Sequence, residues 1–283
     1  MVLKIENYNT NVRNTWCPGC GNFGINMAIK QALVELNKAP SDTLITFDIG
    51  CNGNGVDDIE VFRFKGLHGR SIPLAVGAHL ANRKITVISD IGDGGLLHEG
   101  VEHLIHAIRS NYDITLLIHN NQNFALTTGQ ATSTTKDGKP MYAFPDGKPE
   151  GNINIGELVL SLNPSFFARG YSGDPKQLVR LIKEGIGHKG FSVIEIMQIC
   201  PTYTPECSHD WFKERIKETE RRYTISEAVK YVKDLETIYT GIIYQNRNIP
   251  DFYSRLENRK GTKTELVDEV KNIGIKNILN IFE

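Results

Sequence analysis

The chain has 283 residues, which is enough for one large α/β domain or two smaller ones. Its 32 basic and 33 acidic side chains leave a net charge of −1, so no overall field favours nucleic acid or a membrane as partner. Five cysteines are an odd number and too few for a disulfide scaffold, and the first residues lack the apolar core of a signal peptide. We therefore expect a globular, cytoplasmic protein with reduced thiols.

Hydrophobic periodicity predicts alternating strands and helices over the first two hundred residues. The first predicted elements are a helix at 25–36, a strand at 44–49, a helix at 73–82, a strand at 85–89, a helix at 97–108 and a strand at 114–118. The segment 136–152 is rich in glycine, proline and charge, which predicts a long surface loop. After it come a helix at 155–162, a strand at 166–169, a helix at 176–188 and a strand at 192–197.

This alternation predicts an α/β fold with a doubly wound, mostly parallel sheet that is covered on both faces. The composition changes near residue 205. Segments 211–234 and 264–280 carry dense charge with scattered apolar residues, which favours peripheral helices with some apolar positions facing a partner. We therefore predict a main domain at 1–205 and a charged, mainly helical C-terminal extension at 206–283.

Polar side chains follow two successive predicted strands. Gly92, Asp93 and Gly94 leave the first strand, and Asn121 leaves the second. The carboxyl ends of parallel strands meet at one edge of a sheet, so Asp93 and Asn121 could hold one Mg²⁺ ion, with backbone amides binding a phosphate group. The small and hydroxyl-bearing residues at 124–130 could wrap a cofactor. Either motif alone is also a common turn, so two turns without chemical function remain the alternative.

The cysteines allow three interpretations. Cys17 and Cys20 form a Cys-x-x-Cys motif, which is typical of thioredoxin-like redox pairs, zinc sites and iron–sulfur sites. No strand precedes the motif, which disfavours the redox pair, and no second close pair completes a zinc site. Cys51 and Cys200 each follow a predicted strand, so four thiolates could converge as a [4Fe–4S] cluster requires. Cys207 is interpreted as a spare thiol.

Seven motifs, in this order along the chain, resemble the β subunit of 2-oxoacid:ferredoxin oxidoreductases. They are WCPGCGNFGI at 16–25, DIGC at 48–51, GLHGR at 66–70, GDG at 92–94, HLIHAIRSNYDIT at 103–115, NNQNFALTTGQATSTT at 120–135 and CPTYT at 200–204. The resemblance covers residues 12–235. It implies a thiamine-diphosphate-binding fold, with the coenzyme and the cluster in the domain 1–205.

The resemblance also implies roles for individual residues. Mg²⁺ is expected on Asp93, Asn121 and the backbone carbonyl of Asn123, and a [4Fe–4S] cluster on Cys17, Cys20, Cys51 and Cys200. His68 is expected to touch the diphosphate or act in catalysis, with a structural loop histidine as the alternative. The expected coenzyme contacts are Gly50, Cys51, His68, Gly92, Asp93, Gly94, Asn121, Asn123, Ala125, Leu126 and Thr127. Five further histidines have no partner motif and are interpreted as helix-face, capping or core residues: His79, His98, His103, His106 and His119.

The implied activity is oxidative decarboxylation of a 2-oxo acid of the 2-oxoglutarate or pyruvate class. Coenzyme A takes the acyl group, and electrons pass through the cluster to ferredoxin. An α subunit is expected to supply the glutamate that activates the aminopyrimidine ring. Asn52–Gly55, Gly95 and Phe124–Thr127 depart from the family pattern, which leaves the substrate open. The alternatives are an iron-free thiamine-diphosphate decarboxylase or synthase, and a zinc-stabilised binding module without catalysis.

Overall fold

The computed structural model describes residues 2–219, 224–234 and 236–271. Its strands are β1 (Thr43–Phe47), β2 (Phe62–Lys65), β3 (Thr86–Gly92), β4 (Thr115–Asn120), β5 (Asn123–Phe124), β6 (Gln130–Ala131), β7 (Phe166–Tyr171), β8 (Ser192–Met197), β9 (Ile216–Thr219) and β10 (Ile238–Gln245). Its α-helices are α1 (Gly21–Glu35), α2 (Ser71–Ala81), α3 (Asp93–Glu99), α4 (Val101–Ser110), α5 (Ile155–Ser161), α6 (Pro175–Gly187), α7 (His209–Arg215), α8 (Ile225–Lys233) and α9 (Leu266–Lys271).

Eight strands form the main sheet, in the order β2-β1-β3-β4-β8-β7-β10-β9. Neighbouring strands run parallel except at β7 and β10, which pair antiparallel. Strands β5 and β6 form a separate two-residue pair beside the sheet. The predicted α/β architecture with a mostly parallel sheet is therefore confirmed.

Side chains of the central strands alternate between two cores, one on each face of the sheet. In β4, Leu116 and Ile118 lie in the core that α2, α4, α5 and α8 cover. Leu117 lies between them in sequence but faces the opposite core, which α1 and α6 cover. Both faces of β4 are fully buried, which explains why the strand reads as a continuous apolar run.

The predicted helix at 97–108 is wrong in one respect, because it consists of two helices that meet at Gly100. A Cβ atom on Gly100 would lie 2.8 Å from the backbone oxygen of Gly69. A side chain at position 100 would clash with Gly69, so glycine is required between α3 and α4. Helix α3 is a separate helix that begins at Asp93.

The C-terminal part contains more strand than predicted. Segment 211–234, expected to be helical, contains β9 between α7 and α8. Strand β9 pairs with β10, where Gly241 at φ +114° leaves room for the carbonyl oxygen of Thr219. Of the helix expected at 264–280, α9 is observed, and residues 272–280 lie outside the described residues. The division at residue 205 stays a prediction.

No helix within the described ranges has the length and apolar character needed to cross a bilayer. The long segment 136–152 contains neither helix nor extended strand, as predicted.

Asn111 joins three distant parts of the fold. It ends α4 in the left-handed conformation, with φ +56°, and its side chain is buried. Its Oδ1 atom accepts hydrogen bonds from the backbone N–H of Phe191 at 2.8 Å and from the hydroxyl of Ser165 at 2.6 Å. Its Nδ2 atom donates to the carbonyl oxygens of Ile249 and Pro250. One amide therefore ties α4 to the starts of β7 and β8 and to the C-terminal segment.

We expect Asn111→Ala to lower the free energy of unfolding by about 3–5 kcal/mol, because buried donors and acceptors lose their partners. Urea denaturation at constant m-value measures this change. Asn163→Ala is the matched control, since Asn163 is a left-handed asparagine at φ +53° outside the two cores, and its replacement should cost about 1 kcal/mol. Equal effects of the two substitutions would contradict the role of the Asn111 side chain.

Candidate active site

Four neighbouring parallel strands end at one edge of the sheet and deliver the predicted site residues there. The strands lie in the order β1-β3-β4-β8. Cys51 follows β1, Asp93 follows β3, Asn121 follows β4 and Cys200 follows β8. Residues that are far apart in the sequence are thus brought to one edge of the sheet, where ligands of open α/β sheets bind.

A first cavity opens at this edge, with a volume of about 100 Å³. All eleven residues expected to contact the coenzyme line it. The other lining residues are Ile49, Asn52, Gly95, His119, Phe124 and Gln198. The residues that the sequence analysis selected as coenzyme contacts therefore surround one space.

Asp93 is the carboxylate of this cavity, and it is 1 % exposed. Its Oδ2 atom accepts hydrogen bonds from the hydroxyls of Thr132 and Thr134, and the backbone N–H of Asn121 also donates to the carboxylate. Desolvation nevertheless raises the pKa of Asp93 to about 6, because these neutral donors do not replace bulk water. A buried carboxylate of this kind fits a site for a cation.

Asn121 and Asn123 are held to each other beside Asp93. The backbone N–H of Asn123 donates to Asn121 Oδ1 at 3.0 Å, and Asn123 Nδ2 donates to the carbonyl oxygen of Asn121 at 2.8 Å. Asn123 donates both bonds, and the first of them fixes the orientation of the Asn121 amide, whose oxygen retains a second lone pair. An oxygen-rich set of one carboxylate and one amide matches the ligand preference of Mg²⁺.

Two glycines keep the cavity open. A Cβ atom on Gly94 would lie 2.3 Å from the ring of Phe124, so the start of α3 can lie against this ring only with glycine there. Gly50 has φ +126°, a conformation that side-chain-bearing residues rarely adopt. This turn after β1 directs the chain so that Cys51 reaches the wall of the cavity.

His68 lies at the open side of the cavity and is exposed. Its Nδ1 atom is 3.8 Å from Glu99 Oε1. The loop that carries it is anchored by Asp48, a fully buried residue whose Oδ1 atom accepts from the backbone N–H of Gly69 at 2.7 Å. Burial raises the pKa of Asp48 to about 6, and the Gly69 amide offsets part of that effect.

A second cavity of about 200 Å³ adjoins the first, and Cys17, Cys20, Cys51 and Cys200 all line it. Cys207 does not line it and packs instead in a small cluster with Trp211, Ile199 and Ile216. The predicted division of the cysteines into four and one therefore matches their positions around this cavity.

Backbone hydrogen bonds hold the cysteine-bearing segments together. Cys20 N–H donates to the carbonyl oxygen of Cys17 at 3.0 Å, and Gly21 N–H donates to that of Ile199, next to Cys200, at 3.0 Å. The indole Nε1–H of Trp16 donates to the carbonyl oxygen of Cys51 at 2.6 Å. These bonds hold the backbone segments that carry the four cysteines next to one another.

A single metal ion and an iron–sulfur cluster need different arrangements of thiolates. Thiolates that share one zinc ion lie about 4 Å apart, given Zn–S bonds of about 2.3 Å. Within the described part of the chain, no three His, Cys, Asp or Glu side chains are close enough to hold one metal ion. An iron–sulfur cluster places irons and sulfides between its thiolates and needs them further apart, around a cavity.

Burial controls the protonation of these thiols. Desolvation raises the pKa of Cys20 to about 11 and that of Cys51 to about 12. Both groups are therefore thiols at neutral pH in the absence of metal, and binding of metal as thiolate releases protons.

Sequence analysis missed several residues of the site. Thr132 and Thr134 belong to the hydroxyl-rich stretch ATSTT, and that composition was their only signal. His119 was interpreted without a site role, but it lines the first cavity and contacts Asp90. Gln198 lines both cavities, and its sequence neighbours give no motif that marks it.

Comparison with known proteins identifies the family. Residues 52–196 match the family model of the thiamine pyrophosphate enzyme C-terminal TPP-binding domain. Residues 200–261 match the model for the C-terminal region of the pyruvate ferredoxin oxidoreductase β chain. Thiamine pyrophosphate is another name for thiamine diphosphate. The first model covers just over half of the chain.

Similar relatives include the β subunit of a 2-oxoacid:ferredoxin oxidoreductase from a Sulfolobus species, which is 36% identical over 261 residues, 86% of each chain. The KorB subunit of 2-oxoglutarate synthase from Methanocaldococcus jannaschii is 35% identical over 188 residues, which is 66% of this chain and 70% of that protein.

A solved structure of similar fold is the 2-oxoglutarate:ferredoxin oxidoreductase from Magnetococcus marinus with 2-oxoglutarate, coenzyme A and succinyl-CoA bound. It matches with a TM-score of 0.87 and 25% identity over 99% of this chain and 96% of that chain. The fold, the two matched family models and the identity to the Sulfolobus protein agree. The chain belongs to the β subunits of 2-oxoacid:ferredoxin oxidoreductases, a family of thiamine-pyrophosphate-binding oxidoreductase subunits.

Proposed function

We propose that the first cavity binds the diphosphate of thiamine diphosphate through Mg²⁺, with Asp93, Asn121 and the carbonyl of Asn123 as protein ligands. The observation that carries this proposal is the buried Asp93 carboxylate, with its raised pKa, beside an oriented Asn121 amide. A cation removes the cost of burying this charge, and the diphosphate completes the coordination shell of the ion. Gly92 and Gly94 leave the backbone open to the phosphate oxygens.

We further propose that Cys17, Cys20, Cys51 and Cys200 bind a [4Fe–4S] cluster. The proposal is supported by the single cavity that the four thiols line and by the hydrogen bonds that hold their segments. Cys51 lines both cavities, so a cluster on these cysteines would lie against the coenzyme site. Short distances between redox centres favour electron transfer from the coenzyme to the cluster.

The proposed reaction is oxidative decarboxylation of a 2-oxo acid with coenzyme A as acyl acceptor and ferredoxin as electron acceptor. Bound thiamine diphosphate supplies the nucleophilic carbon and the electron sink that decarboxylation needs. This chain holds the diphosphate, and His68 lies at the open side where it can contact the diphosphate or the substrate.

Between the two expected classes of acid, we propose 2-oxoglutarate, because 2-oxoglutarate enzymes are among the similar relatives and structures.

A partner subunit is part of this proposal. Among the described residues that line the two cavities, Asp93 is the only carboxylate, and no glutamate is present to activate the coenzyme ring. The first cavity is smaller than the roughly 300–1,000 Å³ typical of small-molecule sites. Leu67 is 78% exposed and Leu126 is 48% exposed, both beside the cavity. An α subunit that covers these leucines and supplies the glutamate would complete the site.

A cytoplasmic location stays a prediction.

The two alternatives explain fewer of these observations. A zinc-stabilised binding module does not account for the buried Asp93. An iron-free decarboxylase or synthase accounts for Asp93 but leaves four thiols around an adjoining cavity without a role.

Asp93→Asn should weaken Mg²⁺-dependent binding of thiamine diphosphate by at least about 100-fold, because the amide retains the shape but lacks the charge. Calorimetry with anaerobically purified protein measures the affinity, and the visible absorbance of the cluster should not change. Asp146→Asn, on the exposed loop, is the matched control. Retained affinity in Asp93→Asn would show that the carboxylate does not hold the ion.

Cys200→Ser should lose or degrade the cluster, whereas Cys207→Ser should retain wild-type iron and sulfide, because only Cys200 of the two lines the second cavity. Chemical analysis of iron and sulfide and the absorbance of anaerobic protein measure this. A colourless wild-type protein with stoichiometric zinc would contradict the cluster, and loss of iron in Cys207→Ser alone would identify a different fourth ligand.

Co-expression with the α subunit should yield an enzyme that reduces a viologen dye with coenzyme A and a 2-oxo acid, and 2-oxoglutarate should have the highest kcat/KM. The isolated chain should show no turnover, because none of the described residues that line its cavity is a glutamate. A panel of 2-oxo acids measures the preference. Turnover by the isolated chain would contradict the requirement for the partner's glutamate.

A further inference from the structure

Gln198 lies in the wall between the two cavities. It lines both of them and is 2% exposed. It follows β8, and its backbone N–H donates to the carbonyl oxygen of Asn120 at 2.9 Å, so the sheet fixes the position of its backbone. Its side chain is thus a fixed polar group between the proposed coenzyme site and the proposed cluster site.

His119 holds the carbonyl end of the Gln198 amide. Its Nδ1 atom lies 3.2 Å from Gln198 Oε1, and its Nε2 atom lies 2.9 Å from Asp90 Oδ2. The other oxygen of Asp90 accepts from Asn52 Nδ2 at 2.9 Å. All four side chains are buried. The imidazole ring is thereby held from both sides. With both ring nitrogens protonated, opposite the Asp90 carboxylate, its Nδ1–H donates to the amide oxygens of Gln198 and of Asn22, which lies 2.9 Å away, and so orients the Gln198 amide.

The nitrogen end of the same amide points towards a cluster cysteine. Gln198 Nε2 carries two hydrogens. It lies 3.0 Å from Asn22 Oδ1 and 3.8 Å from Cys20 Sγ. Because Oε1 is turned to His119, an N–H group faces the sulfur. A continuous row of contacts therefore runs from Asn52 to Cys20.

Such a contact changes the energetics of a cluster in one direction. Reduction adds negative charge to the cluster and its thiolates, and a hydrogen bond to a sulfur stabilises the reduced form more than the oxidised form. Donors to the sulfur atoms therefore raise the reduction potential. Burial strengthens the effect, because the protein interior has a lower effective dielectric constant than water.

We propose that Gln198 is a positioning residue for electron transfer: its amide N–H donates to Cys20 Sγ and raises the reduction potential of the cluster. Asp90 and His119 hold the amide in this orientation. The inference rests on the proposed function, in which the cluster accepts one electron at a time from substrate oxidation and passes it to ferredoxin. Gln198 thus adjusts how readily the cluster accepts the electron, without contacting the substrate.

The test measures the reduction potential of the cluster in the enzyme co-expressed with its α subunit. A redox titration is monitored by electron paramagnetic resonance, on the signal that disappears in Cys200→Ser. Gln198→Leu and Gln198→Glu both remove the N–H donor. We expect each to lower the ratio of reduced to oxidised cluster about tenfold at a fixed potential, which is a shift of about 59 mV for a one-electron couple. His119→Phe should shift the potential in the same direction, since it releases the amide.

Gln177→Leu is the matched control, because Gln177 is also a buried glutamine but lies on α6, where its Nε2 atom donates to Thr240 Oγ1 at 3.0 Å. It should leave the potential unchanged. An unchanged potential in both Gln198 variants, at wild-type iron content, would overturn this inference and leave the proposed function intact. A wild-type enzyme without iron at these cysteines would overturn the cluster and the inference together. Gln198→Glu keeps the side-chain size, so it provides the potential if Gln198→Leu fails to fold.

Discussion

The site depends on the parallel hydrogen-bonded register of four neighbouring strands. Strands β1, β3, β4 and β8 lie side by side and point the same way, so their carboxyl ends share one edge about 4.8 Å apart from strand to strand. The inner two strands deliver Asp93 and Asn121, and the outer two deliver Cys51 and Cys200. Because side chains alternate across a strand, a one-residue slip of any ladder would turn its strand-end residue to the opposite face of the sheet. The two apolar cores that fix this register are therefore also what places the polar residues.

The polar residues at this edge are costly to bury, and the local fold compensates only part of the cost. Asp93 receives hydrogen bonds from two hydroxyls and from backbone amides, yet burial still raises its pKa to about 6, and burial raises the pKa values of the Cys20 and Cys51 thiols to about 11 and about 12. A well-packed apolar edge would be more stable. In sites of this kind, binding a cation or a metal cluster would offset the desolvation free energy of the buried groups. Shifted pKa values of buried groups therefore mark candidate functional positions in a fold.

Much of the central fold could be predicted from sequence because each of its strands is encoded by a short run of neighbouring residues. Strands buried on both faces, such as β4 and β8, read as apolar runs between turn residues, and β8 was predicted at its observed ends. The convergence of Asp93 with Asn121, and of Cys51 with Cys200, also followed from strand ends alone.

The incorrect predictions arise from contacts between distant segments. Strand β9 exists because it pairs with β10, and Gly100 breaks a helix because Gly69 packs against it. The contacts of His119 come from β3, α1 and the end of β8, and no spacing within one segment encodes such a set.

The two cavities share part of their lining. Five residues border both of them: Cys51, Asn121, Ala125, Leu126 and Gln198. A displacement of this common wall when one group binds changes the free energy of binding the other. By thermodynamic linkage, the effect of a coenzyme in the first cavity on a cluster in the second would equal the effect of that cluster on the coenzyme. If both cavities are occupied as proposed, the two groups would therefore not be independent ligands, and the affinity measured for either one would depend on whether the other is present.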